Sequence, residues 1–252
     1  MIDRVNILGV RVHAINMDQT LDQIQVWIEK NDPHYVCVTP AHGVMDAYHD
    51  PELRAIFNSG GLITPDGMPI VWLLKLAGQS HVSRVYGPDL TLALIDRGLT
   101  FGWRHFFYGG TPETPELLAE RMKERYPALI VAGTYSPPFR DLTEDEEIKL
   151  VEIVAEASPD VIWVGISTPK QERWMAKFID KLNVPVLIGV GAAFDFLSGR
   201  KKQAPMWMQR NGLEWFFRLV TEPRRLWKRY AQMPLFIFLV MAQKLGIKSF
   251  EK

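Results

Sequence analysis

The sequence predicts an α/β protein: a Rossmann-like, largely parallel sheet with helices on both faces, followed by a helical C-terminal appendage. Three observations predict it. Over residues 1–199, apolar runs that close on glycine or a small polar residue alternate with longer amphipathic segments. The runs are apolar throughout, as strands are when helices cover both faces of their sheet. Beyond Gly199 no strand-like run follows, and the chain becomes basic, aromatic and helical in pattern.

The expected strands are, in order, "VNILGV", "YVCVTP", "LITPDG", "HFFYGG", "LIVAGTY", "VIWVGIS" and "VPVLIGVGA". Helical spacing fills the intervals 21–30, 44–57, 68–77, 89–99, 115–126, 144–157 and 170–181. Thr143 followed by Glu146 is a capping-box start for the helix over 144–157. These elements make residues 1–199 one α/β domain. Residues 200–252 form the appendage, where Thr221 is the expected N-cap of a helix with Pro223 in its first turn. In that helix, spacing sets Leu226 and Tyr230 on one face and Arg225 and Arg229 on another.

In an open α/β sheet, ligands collect at the carboxyl ends of the strands. There the runs deliver Thr39 and His42, then Thr64 and Asp66, then Gly109, Gly110 and Thr111. Later runs deliver Ser167, Thr168, Lys170, Gln171 and Glu172, and then Gly189, Gly191 and Asp195. Glycine-bearing junctions let backbone N–H groups and helix starts approach an anion such as a diphosphate. "GVGAAF" lacks the last glycine of a dinucleotide fingerprint, and no P-loop pattern occurs. Asp66 stands between an apolar run and a Gly-led helix. It is placed either to cap that helix or to take a proton from a substrate hydroxyl. Asp195 carries the same two readings, and His42 is a loop histidine or a site group. Arg84 and the arginines of the appendage are the cations available to a leaving diphosphate.

Composition narrows the function classes. Hydrophobic residues make up 47% and charged residues 23%, ordinary for a globular protein. The net charge is zero, yet residues 200–252 hold 12 Lys/Arg against 3 Asp/Glu, a balance of +9 that leaves −9 on residues 1–199. Such asymmetry points to an anionic partner for the tail. The lone Cys37, in "HYVCVTP", excludes an internal disulfide and a cysteine-based zinc site. No D-x-D, H-E-x-x-H or Cys/His cluster offers a metal site, and no cofactor motif is present. The start "MIDRVNILGV" lacks the pattern of a secretory signal, which sets the expected location in the cytoplasm. The uncharged run from Tyr230 to Gln243 contains Pro234 and falls short of the ~20 apolar residues of a spanning helix.

In order along the chain stand "TPAH", "TPDGMPIVW", "RVYGPDL", "YGG", "GISTPKQERW", "GVGAAFDFLSGRKKQAP" and "LEWFFRLVTEPRRLWKRY". This series resembles the WecG/TagA/CpsF glycosyltransferases, glycosyltransferase family 26, over nearly the whole chain. The resemblance implies a cytoplasmic enzyme, peripheral on the inner face of the membrane. It would move a sugar with inversion, and without a required metal, from a UDP-sugar to a polyprenyl-diphosphate-linked saccharide. The products would serve exopolysaccharide, teichoic acid or common-antigen assembly. It also implies a general base at Asp66, and essential polar groups at Thr39, Arg84, Gln171 and Asp195. The basic appendage, with Arg218 and Arg225, would dock on the membrane and close the site over the diphosphate. One departure stands out: members acting on N-acetylmannosamine carry "TPN", whereas here Ala41 replaces that asparagine. A methyl group cannot make the amide's hydrogen bonds, so a hexose donor stands beside an N-acetylhexosamine one.

The tail fits lipid better than nucleic acid, because Trp215, Phe216 and Phe217 adjoin and apolar residues dominate 233–242. The partners expected are therefore the UDP-sugar, the lipid-linked acceptor and an anionic membrane surface, with no nucleic acid. A homo-oligomer is left open. The alternative is a non-catalytic nucleotide-binding or membrane scaffold protein of the same fold.

Overall fold

Residues 2–250 are described by a computed structural model, which leaves the last two residues of the expected appendage outside the described residues. Six of the apolar runs become strands of one sheet. They are β3 (His34–Thr39), β4 (Leu62–Pro65), β5 (Arg104–Gly109), β6 (Ile130–Tyr135), β7 (Val161–Gly165) and β8 (Val186–Gly189). All neighbours pair in parallel, in the order β4-β3-β8-β7-β5-β6. Successive residues enter opposite cores, as the two-residue period of a strand requires. Cys37, Ile63, Phe106, Ile162 and Leu187 pack on one face. Val36, Val38, Leu62, Phe107, Trp163 and Ile188 pack on the other.

The run 5–10, expected as one strand, is instead an antiparallel hairpin of β1 (Arg4–Ile7) and β2 (Val10–His13). Leu8 and Gly9 have φ of 52° and 94° and form its turn; two consecutive positive-φ residues are what a two-residue hairpin loop needs. The hairpin is tied to the sheet where the Ile63 N–H donates to His13 Nδ1 at 2.9 Å.

The first face is covered by α2 (Ala41–His49), α3 (Pro51–Ser59), α4 (Met68–Leu76), α7 (Glu144–Ala157) and α8 (Lys170–Leu182). The second is covered by α1 (Met17–Lys30), α5 (Gly87–Gly98), α6 (Thr114–Arg125) and the short α9 (Ala193–Leu197). The single helix expected over 44–57 divides between α2 and α3. Pro51 drives Asp50 out of the helical region, to φ −132° and ψ 99°, and the Asp50 carboxylate then caps α3 by accepting from the Leu53 N–H. The start of α1 lies four residues before the expected 21, because Asn16 and Gln19 form a capping box. The expected box of Thr143 and Glu146 does open α7.

Beyond Gly199 the chain is helical, as expected, with α10 (Met206–Arg210), α11 (Glu214–Thr221), α12 (Pro223–Tyr230) and α13 (Met233–Lys244). Two expectations for α12 fail. Its N-cap position is Glu222, while the Thr221 hydroxyl turns back to donate to the Phe217 carbonyl oxygen at 3.0 Å. Arg229 shares the inward face of Leu226 and Tyr230, because the i, i+3, i+4 stripe from Leu226 includes position 229, while the more exposed Arg225 pairs with Glu222. The apolar α13 folds back on the protein with one side only. Phe236, Leu239 and Val240 join the first core and Ala242 is buried beside them, while Leu235, Ile237, Phe238 and Met241 are exposed. At its end, Gln243 Nε2 donates to the Asn6 carbonyl oxygen and Gln243 Oε1 accepts from the Leu8 N–H. No described helix is long and apolar enough to cross a membrane.

Candidate active site

The chain leaves β3 for the outer strand β4 but reaches β8 from β7 on the other side. Between the carboxyl ends of β3 and β8 the strand order therefore reverses, and such a switch point opens a crevice. A cavity of about 150 Å³ lies there, lined by Ala41, His42, Asp66, Arg84, Gln171 and Gly191 together with residues of the appendage.

Asp66 follows β4, and its N–H donates to the Thr39 carbonyl oxygen at 3.1 Å. Gly67, with φ of +81°, turns the chain into α4 at the N-cap position, a conformation that L side chains rarely adopt. The Asp66 carboxylate does not cap that helix. Its Oδ1 pairs with Arg84 Nε at 3.0 Å. The same guanidinium gives Nη2 to Glu214 Oε2 of α11 at 2.6 Å and lies over the Tyr86 ring, 3.9 Å from its centroid. Tyr86 donates its hydroxyl to Glu214 Oε1 at 3.2 Å. Burial works against the charge on Arg84, but Asp66 and Glu214 outweigh it and hold the guanidinium above its ordinary pKa. Burial and then Glu214 push the Tyr86 phenol up, so it stays a hydrogen-bond donor.

Gln171 and Glu172 open α8 and are buried. A side chain at Gly189 would come within 3.0 Å of Gln171 Nε2, so the bare backbone there makes room for the amide. The appendage closes the crevice with Glu214, Trp215, Arg218, Arg229 and Tyr230. Arg229 Nη2 donates to the Thr168 carbonyl oxygen at 3.3 Å, and Arg218 Nε is buried without a hydrogen-bond partner among the described residues. His42 is held well below its ordinary pKa by burial, then by Arg229 and Arg218, so it is neutral near pH 7.

A second cavity, of about 730 Å³, adjoins the first through Ser167, Gly191 and Ala192. Its wall is basic: Arg140, Lys170, Arg173, Lys177, Arg200, Lys201 and Arg225 face Asp141, Glu147 and Asp195. Asp195 Oδ2 pairs with Lys201 Nζ at 2.7 Å, and Lys201 and Arg225 share Glu222 at 3.0 and 2.7 Å. Among the described residues no group of three or more His, Cys, Asp or Glu is placed to hold a metal ion.

The structure thus gathers Asp66, Arg84, Gln171, His42, Gly191 and Arg218 at one cavity, and Gly110, Gly191, Asp195 and Arg225 at its neighbour. Thr39, Gly109 and Gly189 line neither. The buried Thr39 hydroxyl donates to the Cys37 carbonyl oxygen at 2.9 Å. Gly109 packs against the Gly165 backbone, and Gly189 packs against Gln171 and Met175. Sequence reasoning missed Glu214, Tyr86 and Tyr230, and named Arg229 only among the appendage arginines. Glu214 had a signal, as one of only three acidic residues in a basic tail.

The model of the glycosyl transferase WecG/TagA/CpsF family matches residues 5–249. The chain belongs to this family, and it is a glycosyltransferase. Curated relatives are named N-acetylglucosaminyldiphosphoundecaprenol N-acetyl-beta-D-mannosaminyltransferase. The one from Bacillus spizizenii is 29% identical over 215 residues, 85% of this chain and 81% of the relative. The one from Staphylococcus aureus MRSA252 is 26% identical over 249 residues, 98% of this chain and 95% of the relative. In this glycosyltransferase, Ala41 stands buried at the edge of the first cavity, beside His42.

Proposed function

We propose that this glycosyltransferase moves a sugar, with inversion, from a UDP-sugar to a polyprenyl-diphosphate-linked saccharide. One observation carries the reading. Asp66, Arg84 and Gln171 of the α/β body meet Arg218 and Arg229 of the appendage at one crevice, and that crevice opens into a larger basic cavity. The two volumes suit a division of labour. A nucleoside diphosphate needs a pocket of ~300–1,000 Å³, which the basic cavity offers, while the small crevice fits the reacting groups. Gly110, Asp195, Arg225 and the lysines would hold the nucleotide, with the crevice arginines beside the diphosphate.

In the reaction, the acceptor hydroxyl oxygen attacks the anomeric carbon and Asp66 takes its proton. The bond from that carbon to the diphosphate oxygen breaks, and UDP leaves with the bonding pair. Arg84 holds Oδ1 of Asp66, which leaves Oδ2 to receive the proton. Arg218 and Arg229 lack carboxylate partners among the described residues and supply positive charge where the diphosphate charge develops. A panel of UDP-glucose, UDP-galactose, UDP-N-acetylglucosamine and UDP-N-acetylmannosamine, with a lipid-diphosphate saccharide, reads out the transfer by mass. Ala41 makes the hexoses a necessary part of that panel. Asp66→Asn should lose ~100- to 10,000-fold in turnover; near-normal turnover by a folded variant would overturn the assignment.

The same reading places the enzyme on the inner face of an anionic membrane. Support comes from the exposed Trp215, Phe216, Trp227, Ile237, Phe238 and Met241, set among Arg224, Lys228 and Lys244. Deleting the appendage would also strip Phe236 and Leu239 from the core, so the clean test changes the exposed side only. Ile237→Ser with Phe238→Ser should release the protein from anionic vesicles without lowering its melting temperature. Undiminished sedimentation with the vesicles would show that α13 is not the anchor.

A further inference from the structure

The glycosyl-transfer reading leaves one buried acid at the crevice without a role. Glu172 is 0% exposed, one residue after Gln171 at the start of α8. Its Oε1 accepts from the Thr168 hydroxyl at 2.9 Å and from Gln171 Nε2 at 3.0 Å. No cation pairs with it among the described residues, and its Oε2 is buried without a partner. A buried carboxyl in that condition is costly to retain as mere packing. The consequence for Gln171 is specific. With Nε2 committed to Glu172, the amide carbonyl Oε1 is left buried and without a donor, on the side of Gly191, whose backbone lines both cavities. Buried acceptors are normally satisfied, so this one awaits a donor from a bound molecule.

We propose that Glu172 is a positioning residue: its carboxylate grips the Gln171 amide by Nε2 and so presents the carbonyl Oε1 to a hydroxyl or amide N–H of the sugar substrate. This rests on the glycosyl-transfer reading for the identity of the donor group, not for the orientation of the amide. An amide has two faces, and a proton on Glu172 Oε1 reverses the choice: that O–H donates to the carbonyl, the amide turns over, and Nε2 faces the substrate in place of an acceptor. Burial pushes the Glu172 carboxyl up to about 7, and Asp46 adds to the rise against the hydrogen bonds it accepts. The charged or titratable groups around it are Asp46 of α2, the Cys37 thiol of β3 and Arg229 of α12, which reaches the Thr168 carbonyl oxygen. The acceptor-presenting state is therefore the one populated above neutrality.

Two readouts on the full-length protein test this. The first needs no turnover. Carboxyl and side-chain amide NMR between pH 5.5 and 8.5 should show Glu172 and the Gln171 amide shifting with one midpoint near 7, and Glu172→Gln should abolish the Gln171 shift. Gln171 signals that ignore pH, or that move identically in E172Q, overturn the proposal. The second is the pH profile of kcat/KM with the UDP-sugar the panel selects. The wild type should rise through neutrality, and E172Q should lose that inflection and run about 10-fold slower at pH 8, the cost of leaving a buried group unmatched. A wild-type profile in E172Q overturns it. Should E172Q not fold, Thr168→Val removes one hydrogen bond to the ionised form and should move the shared midpoint upward; an unmoved midpoint counts against the grip. Absence of transfer from every UDP-sugar would sink the functional reading while the NMR readout still decides the orientation of Gln171.

Discussion

At Asp66 and Gln171 a sequence position translates directly into a place in space. Asp66 and Gln171 lie close after apolar runs, so the strands carry them to the sheet's carboxyl edge, while Arg84 comes from the loop between α4 and α5 and is fixed there by Asp66 and Glu214. Thr39 sits at the same edge, but its hydroxyl finds the Cys37 carbonyl oxygen instead, and strand period alone cannot forecast that. Glu172 was visible as one of several polar residues after the run "VIWVGIS", with no sign of its burial. Its burial depends on α8 packing over β3 and β8, a tertiary fact. That burial predicts a pH effect on stability with a definite sign. The folded carboxyl titrates at about 7, above the ordinary 4.5. Between those values the folded state holds the proton more tightly than the unfolded chain, so stability falls as pH rises through the window and levels off above it. The total is up to about 3 kcal/mol. Urea denaturation at pH 5 and pH 7.5 should show the wild type losing more over that interval than E172Q; equal losses would mean the carboxyl is not strained by its burial.

Among the elements, the six sheet strands were legible because each carries a mostly apolar run, as strands covered on both faces do, although β6 at the sheet edge is only partly buried. The hairpin was not, since "VNILGV" reads as one run unless Leu8 and Gly9 are recognised as a turn. The break at Asp50 was open to the sequence, because Pro51 disfavours a helix through the residue before it. Helix α13 was ambiguous for a physical reason: it is apolar all round, so periodicity cannot say which side is buried. The structure divides it, with Phe236 3% exposed and Phe238 67% exposed. Phe236→Ala should cost ~3–5 kcal/mol, the usual price of emptying a packed aromatic site. Phe238→Ala should stay within about 0.5 kcal/mol. Parallel melting curves check the contrast, and equal losses would show that the helix sits differently on α2.

For the whole molecule, the charge division of −9 and +9 has its counterpart in space. The basic appendage carries the exposed aromatic residues and also completes the crevice, so the proposed membrane contact and the proposed substrate closure would fall on the same helices. Attraction between exposed charges is screened over about 3 Å at 1 M salt, against about 10 Å at 0.1 M. Raising salt from 0.1 to 1 M should therefore weaken sedimentation with anionic vesicles several-fold and leave sedimentation with apolar-rich neutral vesicles little changed. Insensitivity to salt would assign the contact to α13 and the aromatic residues alone.

The crevice joins Asp66 and Arg84 to Glu214, Arg218 and Arg229, residues made late in synthesis. The last sheet strand ends at Gly189, forty residues before Arg229. At ~5–20 residues per second, translation of that stretch takes roughly 2–8 seconds. A ribosome holding a chain with all of its strands thus holds no finished crevice. Arg84 then has one of its two carboxylates, and the crevice has neither appendage arginine. The crevice is thus completed by helices made only after every strand of the sheet.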